Sequence, residues 1–339
     1  MRFLFQLSLT LFFLQSLQAQ QKDFPRANFI KADSIAALYL GHDLKDLAGL
    51  SIKLTETLDN EAEKFRALHT WICQNIKNDF GLFEENQRKR AYLRSKPEKL
   101  AEWNKAFTTR TFNTLLEENK TVCTGYAYLV KEMSNFVGIK VEIVNGYGRS
   151  SGSNVKELGI VNHSWNAVSL NGKWYLCDPT WSAGSFHVFS GLKVFVDDYN
   201  EGFFLCQPEL FFRNHFPLEQ KWTLLDSSYS KQKFLSSALV YGAAFKLGIF
   251  PMLASNFHQE ITKDEVIVFN FHSTNSLNFE DLYLELLTEN KVLSFEADSI
   301  HLKGNILILK TTFSKKGLYD LHLKLGSDYL CSYVLEVKR

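Results

Sequence analysis

From Asp59 to Asn78, apolar residues return at Phe65, Leu68, Ile72 and Ile76, with Trp71 on the same face. That period predicts an amphipathic helix, with Asp59 or Asn60 as its cap. A second helical pattern runs from Cys123 to Val137, with Tyr126, Leu129, Val130, Met133 and Val137 on one face. It stops at Gly138, a residue suited to ending a helix. Ile139 to Val144 reads as a strand, and Gly146 to Asn154 as a Gly/Ser-rich loop able to move. Two apolar runs, Ser164 to Leu170 and Lys173 to Cys177, flank Asn171-Gly172 and predict a hairpin with a two-residue turn. After about Lys263 the pattern changes to short strands: Val266 to Phe271, Leu282 to Leu287, Ile306 to Phe313, Leu318 to Leu325 and Tyr329 to Val337. In one of them Tyr319, Leu321, Leu323 and Leu325 alternate with Asp320, His322 and Lys324. This predicts a half-buried antiparallel strand with His322 in solvent. Turn signals between these runs point to a small β-sandwich.

Two segments fall outside this scheme. Residues 81–110 are polar, with Arg88, Lys89, Arg90, Arg94, Lys96 and Lys99 interleaved with Glu84, Glu85, Glu98 and Glu102, which reads as a solvated helical insertion. At the start, Met1-Arg2 precedes an apolar stretch from Phe3 to Gln15, and Ala19 offers a small residue for cleavage. That is the layout of a cleavable secretory signal, too short to span a membrane. The expected organisation is a signal peptide at 1–19, a mixed α/β domain with a helical N-terminal part at 20–235, a connector at 236–262 and an Ig-like β-sandwich at 263–339. The mature protein is expected to be periplasmic or secreted, without a membrane span.

Composition narrows the function. The 339 residues are 45% hydrophobic, enough for a sizeable core, and carry a formal net charge of +1. No global field draws such a chain to nucleic acid. Five cysteines (Cys73, Cys123, Cys177, Cys206, Cys331) have no framework spacing, and an odd count leaves at least one thiol over. There is no C-x-x-C, no H-E-x-x-H, no acidic calcium cluster and no phosphate loop, so neither metal nor cofactor is expected.

Candidate chemistry gathers at the hairpin and the second helix. Cys123 opens that helix, where free N–H groups and the positive dipole end favour a thiolate. In a two-residue hairpin Leu170 pairs with Lys173, which places Trp165 opposite Asp178 and His163 opposite Thr180. Side chains alternate along a strand, so His163, Trp165, Asp178 and Thr180 share one face. His163 and Asp178 are then diagonal neighbours, a carboxylate able to orient an imidazole base. Cys177 falls on the other face.

The blocks Thr121-Val-Cys-Thr-Gly-Tyr-Ala127, His163-Ser-Trp-Asn166 and Trp174-Tyr-Leu-Cys-Asp-Pro-Thr-Trp181 resemble the three motifs of the transglutaminase-like superfamily. Trp71-Ile-Cys-Gln-Asn-Ile76 resembles the helix that precedes the nucleophile block. The stretches Gln207-Pro-Glu-Leu-Phe-Phe, Asn214-His-Phe-Pro217 and Trp222-Thr-Leu-Leu225 are similar to the segment after the core in the kyphoscoliosis-peptidase and cytokinesis branch. The resemblance implies an α+β fold, with a papain-like core whose Cys-bearing helix packs on an antiparallel sheet, followed by a β-rich module. It implies Cys123 as nucleophile, His163 as base and Asp178 as orienter, with Trp165 and Trp181 as support or substrate contacts. The implied activity is thiol-dependent acyl transfer on amides, most simply a cysteine peptidase-like hydrolase acting on protein or peptide, peptidoglycan peptides included. A binding or scaffold protein without turnover and a cross-linking transglutaminase are the alternatives.

Overall fold

The computed structural model describes residues 20–252, 255–273, 279–288 and 291–339; the expected signal peptide lies outside the described residues. Three helices come first: α1 (Phe29–Leu38), α2 (Leu47–Thr55) and α3 (Glu61–Asn75). Asn28, Asp46 and Asn60 cap them, each side-chain oxygen accepting a first-turn backbone N–H. Helix α3 is the one expected from the pattern, and Phe65, Leu68, Trp71 and Ile72 are fully buried.

A short strand, β1 (Lys77–Asn78), leads into α4 (Phe80–Leu93) and α5 (Pro97–Glu118), and the chain returns through β2 (Lys120–Thr121), which pairs in parallel with β1. The basic stretch is thus a helical hairpin rooted beside the residue that precedes the next helix. That helix, α6 (Cys123–Phe136), ends before Gly138, whose φ of +77° is left-handed. Strands β3 (Lys140–Gly148), β4 (His163–Leu170) and β5 (Lys173–Cys177) follow. After them come α7 (Pro179–Ala183), the hairpin β6 (Gly184–Phe189) and β7 (Leu192–Asp197), α8 (Pro208–Phe211) and β8 (His215–Pro217). The core sheet is antiparallel in the order β5-β4-β3-β8.

Period-two alternation along β4 serves two layers. Val168 and Leu170 join Tyr126, Leu129, Val130 and Met133 of α6, while Trp165 and Ala167 face a second cluster shared with the β-rich region. The hairpin has the expected register, with Leu170 opposite Lys173 and Asn166 opposite Cys177. Both turn residues have positive φ, +52° at Asn171 and +80° at Gly172, as a type I′ turn requires.

Two local expectations are corrected. The β4–β5 ladder ends at Asn166–Cys177, so Trp165/Asp178 and His163/Thr180 do not pair. Asp178 instead donates its N–H to the Phe203 carbonyl at 3.1 Å and caps α7, whose first residue, Pro179, has no N–H for a ladder. Strand β3 also runs on to Gly148, so the glycine-rich stretch is in part a strand. A Cβ on Gly146 would stand 2.3 Å from the Phe216 carbonyl and 2.6 Å from the Trp165 ring. Glycine here admits a close approach rather than motion. Beyond it, Asn154 Nδ2 donates to the Gly148 carbonyl at 2.8 Å and Asn162 closes on the same residue, bracing the loop.

The remaining chain forms α9 (Lys231–Ser236), β9 (Leu239–Val240), α10 (Gly242–Leu247), β10 (Ile249–Pro251), β11 (His258–Thr262), β12 (Val266–Ser273), β13 (Leu282–Thr288), β14 (Lys291–Phe295), β15 (Ser299–Lys303), β16 (Ile306–Thr312), β17 (Gly317–Leu325) and β18 (Asp328–Lys338). One sheet runs β10-β12-β16-β15; the other runs β11-β18-β17-β13-β14, with β9 also on β18. The stretch 236–262, expected as a connector, therefore supplies strands to both sheets. His322 is half-buried and bonded to Ser332 rather than free in solvent, because Ser332 on β18 is its cross-strand partner on the same face.

Candidate active site

Asp178 leaves its strand fully buried, and four donors converge on its carboxylate. Oδ1 accepts the N–H groups of Thr180 (2.8 Å) and Trp181 (3.2 Å), the free amides of the α7 first turn. Oδ2 accepts from His163 Nε2 at 2.7 Å and from His215 Nε2 at 3.0 Å. Burial alone would raise this carboxyl. The charge and hydrogen bond of His163, then the bond from His215, hold it well below the usual carboxylate range.

His163 begins β4 opposite Gly146, with its Cβ against the bare Gly148. Asp178 takes the Nε2 proton, so Nδ1 is the nitrogen left for Cys123. The thiol stands at the first turn of α6, partly exposed, and interacts with the His163 side chain and the Ser164 backbone. Burial opposes ionisation of both groups. For His163 the Asp178 charge and hydrogen bond, with a smaller contribution from Cys123, raise its pKa to about 10. For Cys123 the His163 bond and charge lower the thiol below its ordinary value. Shifts in these directions favour a thiolate–imidazolium pair over a neutral one. Arg90 of α4 lies within electrostatic range of Cys123, with its Nε buried and unpartnered.

The other four cysteines behave differently. Burial raises the pKa of Cys73, Cys177, Cys206 and Cys331, and none of the five is in a disulfide. Cys73 is instructive because it too has a histidine neighbour, His69 Nδ1 at 3.7 Å. Burial pushes His69 down to about 3 while Cys73 rises, so this pair stays neutral. What it lacks is a carboxylate bonded to the imidazole.

The two expected tryptophans divide their tasks. Trp181 stacks on His163, centroids 4.9 Å apart at 23°. Trp165 is fully buried, edge-on to His215 at 5.0 Å, and forms the back wall rather than a substrate contact. His215 is the residue that sequence reasoning missed. It lies flat against Phe211 at 3.8 Å, its Nδ1 is 2.7 Å from the Asn214 amide, and burial lowers it to about 4. It sits in the Asn214-His-Phe-Pro217 stretch, and no hairpin argument reaches it. His163, Asp178 and His215 offer ligand-type atoms within 4.8 Å of one another. Both imidazole nitrogens are at hydrogen-bond distance from one oxygen, the arrangement of two donors on a shared acceptor.

Residues 48–179 match the transglutaminase-like superfamily, a span that takes in Cys123, His163 and Asp178. Human kyphoscoliosis peptidase is 32% identical over 183 residues, 53% of this chain and 24% of that protein. The mouse protein of that name is 32% identical over 186 residues, 54% of this chain and 25% of its own length. Hillarin of Drosophila melanogaster is 23% identical over 235 residues, 65% of this chain and 26% of Hillarin. The chain thus spans about a quarter of the length of these curated relatives. Over residues 48–179 the chain carries a domain of the transglutaminase-like superfamily, and its similarity to curated proteins points to the branch that holds kyphoscoliosis peptidase.

Proposed function

We propose that this protein is a thiol-dependent acyl-transfer enzyme acting on amide bonds of proteins or peptides, a cysteine peptidase-like hydrolase with Cys123, His163 and Asp178 as its catalytic residues. One observation carries the reading: among five thiols, Cys123 alone is drawn toward ionisation, by an imidazole whose other nitrogen a buried carboxylate holds. The Cys123 thiolate attacks the amide carbonyl carbon, forming a C–S bond. His163 delivers its Nδ1 proton to the amine as the C–N bond breaks, leaving a thioester. His163 then takes a proton from water, whose oxygen attacks the thioester and releases the acid and the thiolate. The Cys123 backbone N–H is the donor we assign to the developing oxyanion. Cys123→Ala is expected to remove amide cleavage of a peptide library without loss of fold, and Cys177→Ala to leave it intact. If the Cys177 variant is the inactive one, the assignment fails.

We further infer that the enzyme works outside the cytoplasm. The basic start, the apolar stretch and Ala19 support this, and Gln20 is docked, its N–H on the Leu205 carbonyl at 2.8 Å. Among the described residues no helix is long and apolar enough to cross a membrane. Intact mass of the exported protein is expected to show a chain beginning close to Gln20. Exported protein that retains residues 1–19 overturns the cleavable signal, and protein found only in the cytoplasm overturns the extracytoplasmic reading.

A further inference from the structure

Where the core sheet meets the β-sandwich, two arginines are buried without an ion-pair partner among the described residues. Arg149 and Arg213 are each 1% exposed. They are neighbours by backbone: the Arg149 N–H donates to the Asn214 carbonyl at 2.8 Å, alongside the Gly148–His215 pairing. Arg149 reaches the end of α9, donating to the carbonyls of Phe234, Leu235 and Ser237 at 2.7–3.0 Å, with its guanidinium 5.2 Å from the Phe257 ring centre. Arg213 points into the sandwich, where Nη2 donates to the Pro251 carbonyl at 2.9 Å.

These bonds leave much unsatisfied. Among the described residues, Arg213 Nε and Nη1 and Arg149 Nε are buried donors with no acceptor, and His272 Nδ1, opposite Phe250 on the next strand, is buried and unpartnered too. The titratable groups facing Arg213 are Tyr333, Tyr229 and Cys331, and those facing Arg149 are Arg213 and Tyr241; no carboxylate is among them. Guanidinium stays protonated, so two like charges here oppose each other as well as burial. The α9 carbonyls offset part of this for Arg149. For Arg213 a single carbonyl does not.

We propose that a small inorganic anion of halide size binds at this seam, between the Arg213 Nε and Nη1 donors and the Arg149 guanidinium. Both guanidinium groups are almost wholly buried, which favours a small ion over a large organic anion, and the donor set is cationic N–H with the Tyr333 hydroxyl also buried and unpartnered among the described residues. Such an ion neutralises the pair and ties the segment carrying His215, two residues beyond Arg213, to β10 and β18.

The test is the thermal unfolding of the full chain in sodium chloride against sodium gluconate at matched ionic strength. Ligand that binds only the folded state raises the midpoint with concentration. The midpoint is expected to rise by several degrees in chloride and to level off, and Arg213→Met is expected to abolish the difference between the salts. Equal midpoints in the two salts, or the same chloride response in Arg213→Met, overturn the proposal. Should that variant fail to fold, crystals of the unaltered protein grown in sodium bromide decide it. An anomalous peak within hydrogen-bond distance of Arg213 Nε or Nη1 supports the site, and no peak there overturns it.

Discussion

Asp178→Ala is expected to cost about 3–5 kcal/mol of stability at neutral pH, as for removal of one partner of a buried ionic group. The truncation would strand two imidazole N–H groups and two α7 amides in a closed interior, and buried donors without acceptors are costly. The pH dependence has a definite sign. The folded carboxyl is held below its unfolded value, so its contribution is full above the ordinary carboxylate pKa of about 3.9 and is lost as pH falls below that. Urea unfolding should therefore show a large gap between wild type and variant at pH 5 to 7 that narrows below about pH 4. A variant within 1 kcal/mol of wild type at pH 7 would contradict the convergence on Asp178.

The second large effect is expected at His163. In His163→Ala the partner that stabilises the Cys123 thiolate is gone, while burial still opposes ionisation. Alkylation of Cys123 near neutral pH should slow by at least about 30-fold, since an unassisted cysteine is only a few per cent thiolate there. Any amide cleavage should fall by about 10³-fold or more, because the variant also loses its acid–base group. In the wild type the alkylation rate should already be high at pH 6–7, below the ordinary thiol range. His163, raised to about 10, stabilises the fold fully below its unfolded value of about 6.5, and this contribution is lost as pH rises through about 10. In the variant the rate should climb only above the ordinary thiol range. A variant with an unchanged profile would mean that His163 does not activate the thiol.

Much of this site is legible in the chain because it depends on local rules. Asn171-Gly172 admits a type I′ turn, that turn sets the hairpin register, and Gly138 ends the helix that Cys123 begins. The register placed His163 near Asp178 for a reason only partly realised. Their contact comes through a helix cap rather than a strand pair, because Pro179 turns the chain away. His215 was not legible: it arrives on an edge strand 37 residues after Asp178, and no periodicity encodes which side chain a later strand lays beside a buried carboxylate. The β9, β10 and β11 strands, two to five residues each, likewise gain their pairing from tertiary neighbours rather than from their own pattern. Gly146 and Gly148 read as a loop from composition and proved to be strand positions where other groups come close.

The account rests on Cys123 being ionised while four other cysteines are not, and one measurement addresses that directly. The folded protein is treated with limiting iodoacetamide at pH 6.5, then unfolded, and the remaining thiols are blocked with a second reagent. Peptide mass mapping then gives the extent of reaction at each cysteine. Cys123 is expected to carry nearly all of the first label, reacting at least about 30-fold faster than a free model thiol at that pH, with Cys73, Cys177, Cys206 and Cys331 left to the second reagent. Labelling of Cys123 no faster than the model thiol, or first labelling at any of the other four, would contradict the thiolate–imidazolium pair and the enzyme built on it.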